Sequence, residues 1–122
     1  MNSIQLIERS KEIFSSFEKI NENFYKSKFQ VEDKIAGIYY LYFNKDISHS
    51  EFEKLQYEYL ANEFYSQKES LQWNIYLLFI NSNISDEEKT KILKDDKYAR
   101  KLIFTENEYF EYFNKQKTQK TE

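Results

Sequence analysis

Leu71-Gln72-Trp73-Asn74-Ile75-Tyr76-Leu77-Leu78-Phe79-Ile80 contains the only tryptophan of the chain and its longest nearly unbroken apolar run. Read as a strand, the run puts Trp73, Ile75, Leu77 and Phe79 on one face and Tyr76, Leu78 and Ile80 on the other. A strand apolar on both faces belongs inside a sheet that is covered on both sides. Periodicity alone also allows a buried helix. Ten residues are few for such a helix, however, and the aromatic and β-branched content favours a strand.

Residues 35–43, Ile-Ala-Gly-Ile-Tyr-Tyr-Leu-Tyr-Phe, form the second expected strand, and Gly37 inside it suggests a bulge or a close backbone approach. Leu102-Ile103-Phe104 is a short third strand. Upstream, Ile4, Ile7, Phe14, Phe17, Ile20 and Phe24 recur at helical spacing, so residues 2–24 are expected as one amphipathic helix with Ser3 as N-cap. Residues 25–34 read as a polar connector in which Phe29 and Val31 alternate like a short edge strand. Three capping-box patterns, Ser48 to Glu51, Ser85 to Glu88 and Thr105 to Glu108, announce three further helices.

These elements predict a small single-domain α/β protein over residues 1–114. About three strands, the central one near 72–80, alternate with about four helices, and the sheet is mostly parallel or mixed. Residues 115–122 carry no apolar side chain and are expected as a frayed polar tail.

The 122-residue chain has one glycine, no proline, 19% aromatic residues and a net charge of −3, with acids and bases interspersed. This balance gives no generic electrostatic grip on nucleic acid. The absence of cysteine excludes disulfides, thiolate chemistry and cysteine-ligated zinc, and fits a reducing cytoplasm. No signal peptide is visible, and no run approaches the roughly 20 apolar residues of a membrane helix. A single glycine rules out phosphate-cradling glycine loops.

His49, the sole histidine, lies inside a helix cap, where a solvated polar side chain is the ordinary expectation. Asp95-Asp96-Lys97 followed by Arg100-Lys101 suggests a carboxylate–lysine nuclease site, but these charges cluster around one helix end, where solvation and local pairing explain them; Glu51-Phe52-Glu53-Lys54 resembles such a motif only as text. Such sites need acids and lysine converging from adjacent strands on a metal. No enzyme activity, cofactor, metal or small-molecule ligand is therefore expected.

Gln72-Trp73-Asn74-Ile75-Tyr76-Leu77, a short acidic helix, and then Asp96-Lys97-Tyr98-Ala99-Arg100-Lys101-Leu102-Ile103 together resemble a pattern in the middle components of ABC-three-component systems. These are bacterial conflict operons related to Lamassu-type anti-phage defence. Tyr39-Tyr40-Leu41 and Glu63-Phe64-Tyr65 fit the same layout, and the resemblance spans residues 35–105. It implies a non-catalytic accessory subunit that joins an SMC-like ABC ATPase to an effector, commonly a nuclease, and meets nucleic acid only through the complex. The other reading is a small acidic stand-alone inhibitor or immunity protein, of host or phage origin, that neutralises a toxin or nuclease.

Within the resembling segments, Asn74, Asp96, Arg100 and Lys101 are the candidate partner contacts. Each also has a structural reading, which is preferred. Asp96, Arg100 and Lys101 would form an ion pair with a snorkelled lysine where a helix hands over to a strand. Asn74 would satisfy nearby backbone groups, and Trp73 would be core.

Overall fold

The structure, a computed structural model, describes residues 2–120, with side chains described through Gln116. It is an α/β domain with a five-stranded mixed sheet, so the expectation of three strands falls short by two. Both additional strands lie in the segment read as one long helix and a connector. Helix α1 spans only Ser3–Lys11, capped by Asn2, whose side chain accepts from the Gln5 backbone N–H in a reciprocal capping box. The chain then forms β1 (Ser16–Asn21) and β2 (Phe24–Val31).

Two hairpin turns explain the difference. Asn21 pairs with Phe24, which leaves Glu22 and Asn23 as a two-residue loop with Asn23 at φ 69°. Val31 pairs with Lys34, which leaves Glu32 and Asp33 as a second loop with Glu32 at φ 57°. Short acidic or amide turns with positive φ are the connections that fit the twist of antiparallel strands. Between them Tyr25, Ser27 and Phe29 alternate inward with period two, and Ser27 Oγ donates to the Tyr39 carbonyl at 2.9 Å. The segment is thus an interior strand rather than an edge, because β1 pairs along its outer side.

Strand β3 (Lys34–Phe43) follows, antiparallel to β2 and parallel to β4 (Ile75–Ile80). β5 (Arg100–Phe104) lies parallel to β4, so the sheet order is β1-β2-β3-β4-β5. Helix α2 covers 49–66. It is α-helical over His49–Leu55, opens to a π turn over Gln56–Leu60, and is α-helical again over Ala61–Ser66. Helix α3 spans Asp86–Lys94, and α4 spans Glu106–Lys120, so residues 115–120 of the expected tail are helical. The rest of that tail, 121–122, lies outside the described residues. Three of the four expected caps are used: Ser48 and Thr105 form reciprocal boxes, and Ser85 accepts from the Glu88 N–H. The fourth, Ser3, is instead the first helical residue, and Asn2 before it takes the cap.

The centre of the sheet is β3 rather than the strand expected there near 72–80, because the two additional strands extend the sheet on the β3 side and leave β4 next to the edge strand β5. The sheet is covered on both faces, as the doubly apolar strands β3 and β4 demand. Ile38, Tyr40, Tyr42, Ile75, Leu77 and Phe79 pack with Phe52, Leu55 and Leu60 of α2 and Ile92 of α3. Tyr39, Leu41, Phe43, Leu78 and Ile80 pack with Leu6 of α1 and Tyr109, Phe110 and Phe113 of α4. Tyr109 donates to Ser10 Oγ at 2.8 Å, which ties the two helices of this second layer together.

Gly37 marks a bulge, as expected. The β2–β3 register shifts between Phe29 and Gln30, leaving Ala36 as the extra residue. Ala36 therefore packs on the α1/α4 face, whereas strict alternation would have put it with Ile38 and Tyr40. A Cβ on Gly37 would lie 2.9 Å from Tyr39 Cε1 and 3.3 Å from Tyr76 Cε1, and those two rings stack at 4.5 Å. Gly37→Ala should destabilise the domain by about 1–3 kcal/mol through overpacking, read as a lower urea midpoint at unchanged m-value.

The opening stretch contains the principal correction. Strand β4 begins only at Ile75, and Glu69–Trp73 form a 3₁₀ helix. Trp73 thus leaves the strand alternation before it starts and is 75% exposed rather than core. Asn74, at φ −120° and ψ 47°, separates the two conformations. Among the described residues no helix is long and apolar enough to cross a membrane.

Candidate interaction surface

Trp73 is one of five aromatic rings gathered where β4 and β5 begin. Tyr98 is their hub: its ring lies 6.2 Å from Tyr57, 5.8 Å from Phe64 and 5.9 Å from Tyr65. Phe64 in turn meets Trp73 at 5.7 Å with the two planes at 80°. Tyr65 is 73% exposed and Tyr57 54%. Isolated surface hydrophobics are ordinary, but a contiguous set of large rings is the kind of patch that marks an interaction site. A cleft of about 250 Å³ opens among Phe64, Trp73, Ile75 and Tyr98, with Gln72, Asp96 and Arg100 completing its lining.

Each part of the patch is held by a polar network beneath it. In α2, Gln56 and Glu63 fall four and eleven residues after Phe52, on the stripe that faces the sheet, and both are buried. The Glu63 carboxylate accepts from Tyr40 Oη at 2.6 Å and from Gln67 Nε2 at 2.7 Å, and pairs with Lys26. Burial acts to raise its pKa, but these donors outweigh burial and hold the carboxyl below its ordinary value. The network pins the end of α2 to β2 and β3, and thereby sets Phe64 and Tyr65.

Trp73 is set by its own turn. Asn74 Nδ2 donates to the Ser70 carbonyl at 2.8 Å, Asn74 N–H donates to the Leu71 carbonyl, and the Asn74 carbonyl accepts from Ile38 N–H. Gln72 Nε2 reaches back to the Phe64 carbonyl at 3.1 Å. The amide of Asn74 thus does the backbone work expected of it.

Tyr98 is held most tightly of all. Its φ is +64°, and Ala99 N–H donates across it to the Lys97 carbonyl at 2.7 Å, a γ-turn with a left-handed centre. That conformation is rare and strained for a bulky side chain. A buried cluster fixes it. Lys101, whose side chain is fully buried, donates through Nζ to the same Lys97 carbonyl at 2.6 Å and sits 3.5 Å from Asp95 Oδ1. Asp95 also accepts from Lys97 N–H at 3.0 Å and from Gln56 Nε2 at 2.9 Å. Burial pushes the Lys101 pKa down to about 8, although Asp95 pulls it the other way.

The four candidate contacts are therefore divided. Asp96 and Arg100 line the cleft, Asn74 adjoins it as a backbone clamp, and Lys101 points into the interior beneath it. Lys101 is buried rather than snorkelled, and its ion-pair partner is Asp95 rather than Asp96. The sequence places Trp73 in the core, puts Phe64 and Tyr65 only in the layout of the resemblance and gives Tyr57 no role, so the patch itself is not legible in it. The available signal was that Tyr57 and Tyr65 fall off the Phe52-Leu55-Leu60 stripe of α2.

The opposite end of the sheet offers less. In open parallel sheets, ligands bind beyond the strand carboxyl ends at a point where the strand order reverses. Here β3, β4 and β5 follow one another in a single direction, and α2 and α3 lie on one face, so there is no such reversal. The carboxyl ends are closed by Asn44 N–H on the Ile80 carbonyl and Asn81 N–H on the Phe104 carbonyl, each at 2.9 Å. His49 stands exposed near Glu53 and Glu88, at 3.8 and 3.6 Å. Among the described residues no three acidic or histidine side chains converge as a metal site.

No protein-family model, curated protein or solved structure matches the chain.

Proposed function

We propose that the chain is a non-catalytic protein-interaction subunit that docks on its partner through the Tyr57-Phe64-Tyr65-Trp73-Tyr98 surface. The observation that carries this reading is the exposed, ring-bonded aromatic patch with preorganised backbone beneath it. Tyrosine and tryptophan dominate binding hot spots because they bury large areas at small entropic cost, and rigid support lowers that cost further. A nucleic-acid stacking platform would need a positive groove around the rings. The cleft instead carries one acid and one base, Asp96 and Arg100.

The resemblance of residues 35–105 to middle components of ABC-three-component defence systems gives the partner its first candidate. On that reading the partners are an SMC-like ABC ATPase and its effector, and the subunit links them. Affinity purification of the tagged chain together with its neighbouring operon products tests it. Stoichiometric recovery of a large ATPase is expected. Recovery of a toxin or nuclease alone, with neutralisation of its activity, would replace the accessory-subunit reading by that of an inhibitor docking through the same surface.

A further inference from the structure

We propose that the free edge of β1 is a second docking site, independent of the aromatic patch, which takes an extended antiparallel strand of a protein partner with a lysine or arginine set opposite Glu18.

The main chain defines the edge. Ser15 N–H donates to the Lys28 carbonyl at 2.9 Å, so the main chain of Lys28 faces β1, and that of Lys26, two residues before it, faces the same way. Their partners Ser16 and Glu18 turn inward to meet them. Phe17 and Lys19 alternate with these and turn their N–H and C=O groups away from the sheet. Among the described residues no further hydrogen bond reaches those groups. Glu18 and Lys19 are exposed and Phe17 is half-buried, so the edge is accessible. The opposite edge is closed. On β5 the Phe104 carbonyl accepts from Asn81 N–H, which turns Lys101 and Ile103 outward, but Lys101 is buried. The flanking N–H groups of Ala99 and Thr105 are held by the Lys97 carbonyl and by Glu108 Oε1.

Charge decides the occupant. A bare strand edge invites a copy of itself. The two-fold antiparallel register that uses all the free groups of Phe17 and Lys19 sets Glu18 directly against Glu18 of the copy, a destabilising like-charge pair. Sliding until Phe17 faces Phe17 sets the Lys19 carbonyl against Ser15 N–H, which Lys28 already holds. A foreign strand with a cation facing Glu18 makes the same main-chain bonds and turns the repulsion into attraction. Glu18 is free for it: among the described residues it forms no hydrogen bond or ion pair, and it acts only through space on Tyr40 in the same row of the sheet. Its own β2 partner, Lys26, is paired with Glu63. Lys28, the other cation on this face, stands on β2, one strand spacing of about 4.8 Å farther from the occupant. Lys19 alternates to the opposite face.

A copy of the chain carrying Glu18→Lys serves as the probe, since it offers the same edge with a cation facing Glu18. Sedimentation velocity at low salt is run on the wild type, on Glu18→Lys and on their equimolar mixture. The mixture should form a one-to-one dimer at least roughly fivefold tighter than either chain makes with itself, because an opposite-charge pair replaces a like-charge pair. Lys19→Pro placed in both chains removes an outward N–H that the sheet does not use, and should abolish the dimer at unchanged far-UV circular dichroism. Amide hydrogen exchange locates the contact without a proline: Phe17 and Lys19 should exchange freely in either chain alone and slowly in the mixture. A mixture that stays monomeric, or a dimer that leaves both amides unprotected, would overturn the proposal. So would a wild-type chain that dimerises alone through those amides, which would make a second copy the occupant.

Discussion

Trp73→Ala should weaken partner binding by about 30-fold or more while leaving the melting temperature unchanged. The first half follows from the behaviour of central aromatic anchors, whose truncation typically costs at least about 2 kcal/mol of binding, tenfold for each 1.4 kcal/mol. The second half follows from exposure: three-quarters of the Trp73 surface faces solvent, and its ring contact in the fold is Phe64. Substitutions at such positions ordinarily change stability by no more than about 0.5 kcal/mol. Tyr65→Ala should behave the same way on a smaller scale. Calorimetric titration of the co-purified partner, paired with thermal melts, measures both halves. A core tryptophan would give the reverse result: loss of fold first and of binding only as a consequence.

Asp95→Ala should be the most damaging single change to the fold, at about 3–5 kcal/mol, or on the order of 10–20 °C in melting temperature. It leaves the Lys101 ammonium buried without its counter-ion and strips Gln56 Nε2 and Lys97 N–H of their acceptor. The double change Asp95→Leu with Lys101→Met should recover the part of the loss that comes from the unpaired ammonium, and leave the smaller cost of Gln56 Nε2 and Lys97 N–H without their acceptor. It should not recover binding, because the γ-turn that presents Tyr98 loses both of its clamps.

The same cluster sets a pH dependence. The Lys101 pKa is lowered from 10.5 to about 8 in the folded chain, first by burial. Between those values the unfolded chain binds more protons, so unfolding free energy rises with pH from about 8 upward. Tyr39, Tyr40 and Tyr109 act in the opposite sense. Burial raises their pKa values above the ordinary 10.0, so their contribution is complete below that value and is lost as pH rises further. Stability should therefore climb from pH 8 and turn over near 10. Chemical denaturation across that range should show the climb in the wild type and no climb in Lys101→Met.

What the sequence disclosed depended on whether one pattern had a rival. The 71–80 run is apolar on both faces and short, which reads as a buried strand, and its 75–80 part is one; the three capping boxes locate α2, α3 and α4 to within a residue at their starts. Phe14, Phe17, Ile20 and Phe24 fit helical spacing, yet the hairpin at Glu22-Asn23 competes with it, and pairing of β1 and β2 with the growing sheet decides the outcome. Helical periodicity and strand alternation cannot both be satisfied there, and long-range pairing is not visible in local order. Trp73 was misplaced for a related reason. Its apolar neighbours extend the run, but β3 offers Ile38 as the first partner, opposite Ile75, and the chain ahead of that point coils into a 3₁₀ turn.

The buried polar positions left a trace that could have been read. Gln56 and Glu63 occupy core-facing helical positions, and Lys101 alternates inward between Ala99 and Ile103. Polar groups at such places need partners; those of Gln56 and Glu63, namely Asp95, Lys26 and Tyr40, lie far off in sequence, whereas Lys101 finds Asp95 close by in the chain. Position predicts that a network exists; only the fold says which residues complete it.

The docking surface is tested most directly by fluorine NMR on the chain labelled with 5-fluorotryptophan, which places one fluorine at Trp73. In the free chain its resonance should show the full H₂O/D₂O isotope shift of an exposed ring. Addition of the co-purified partner should move the resonance and remove that shift. A complex that forms with the Trp73 resonance unmoved and still solvent-sensitive would contradict the account.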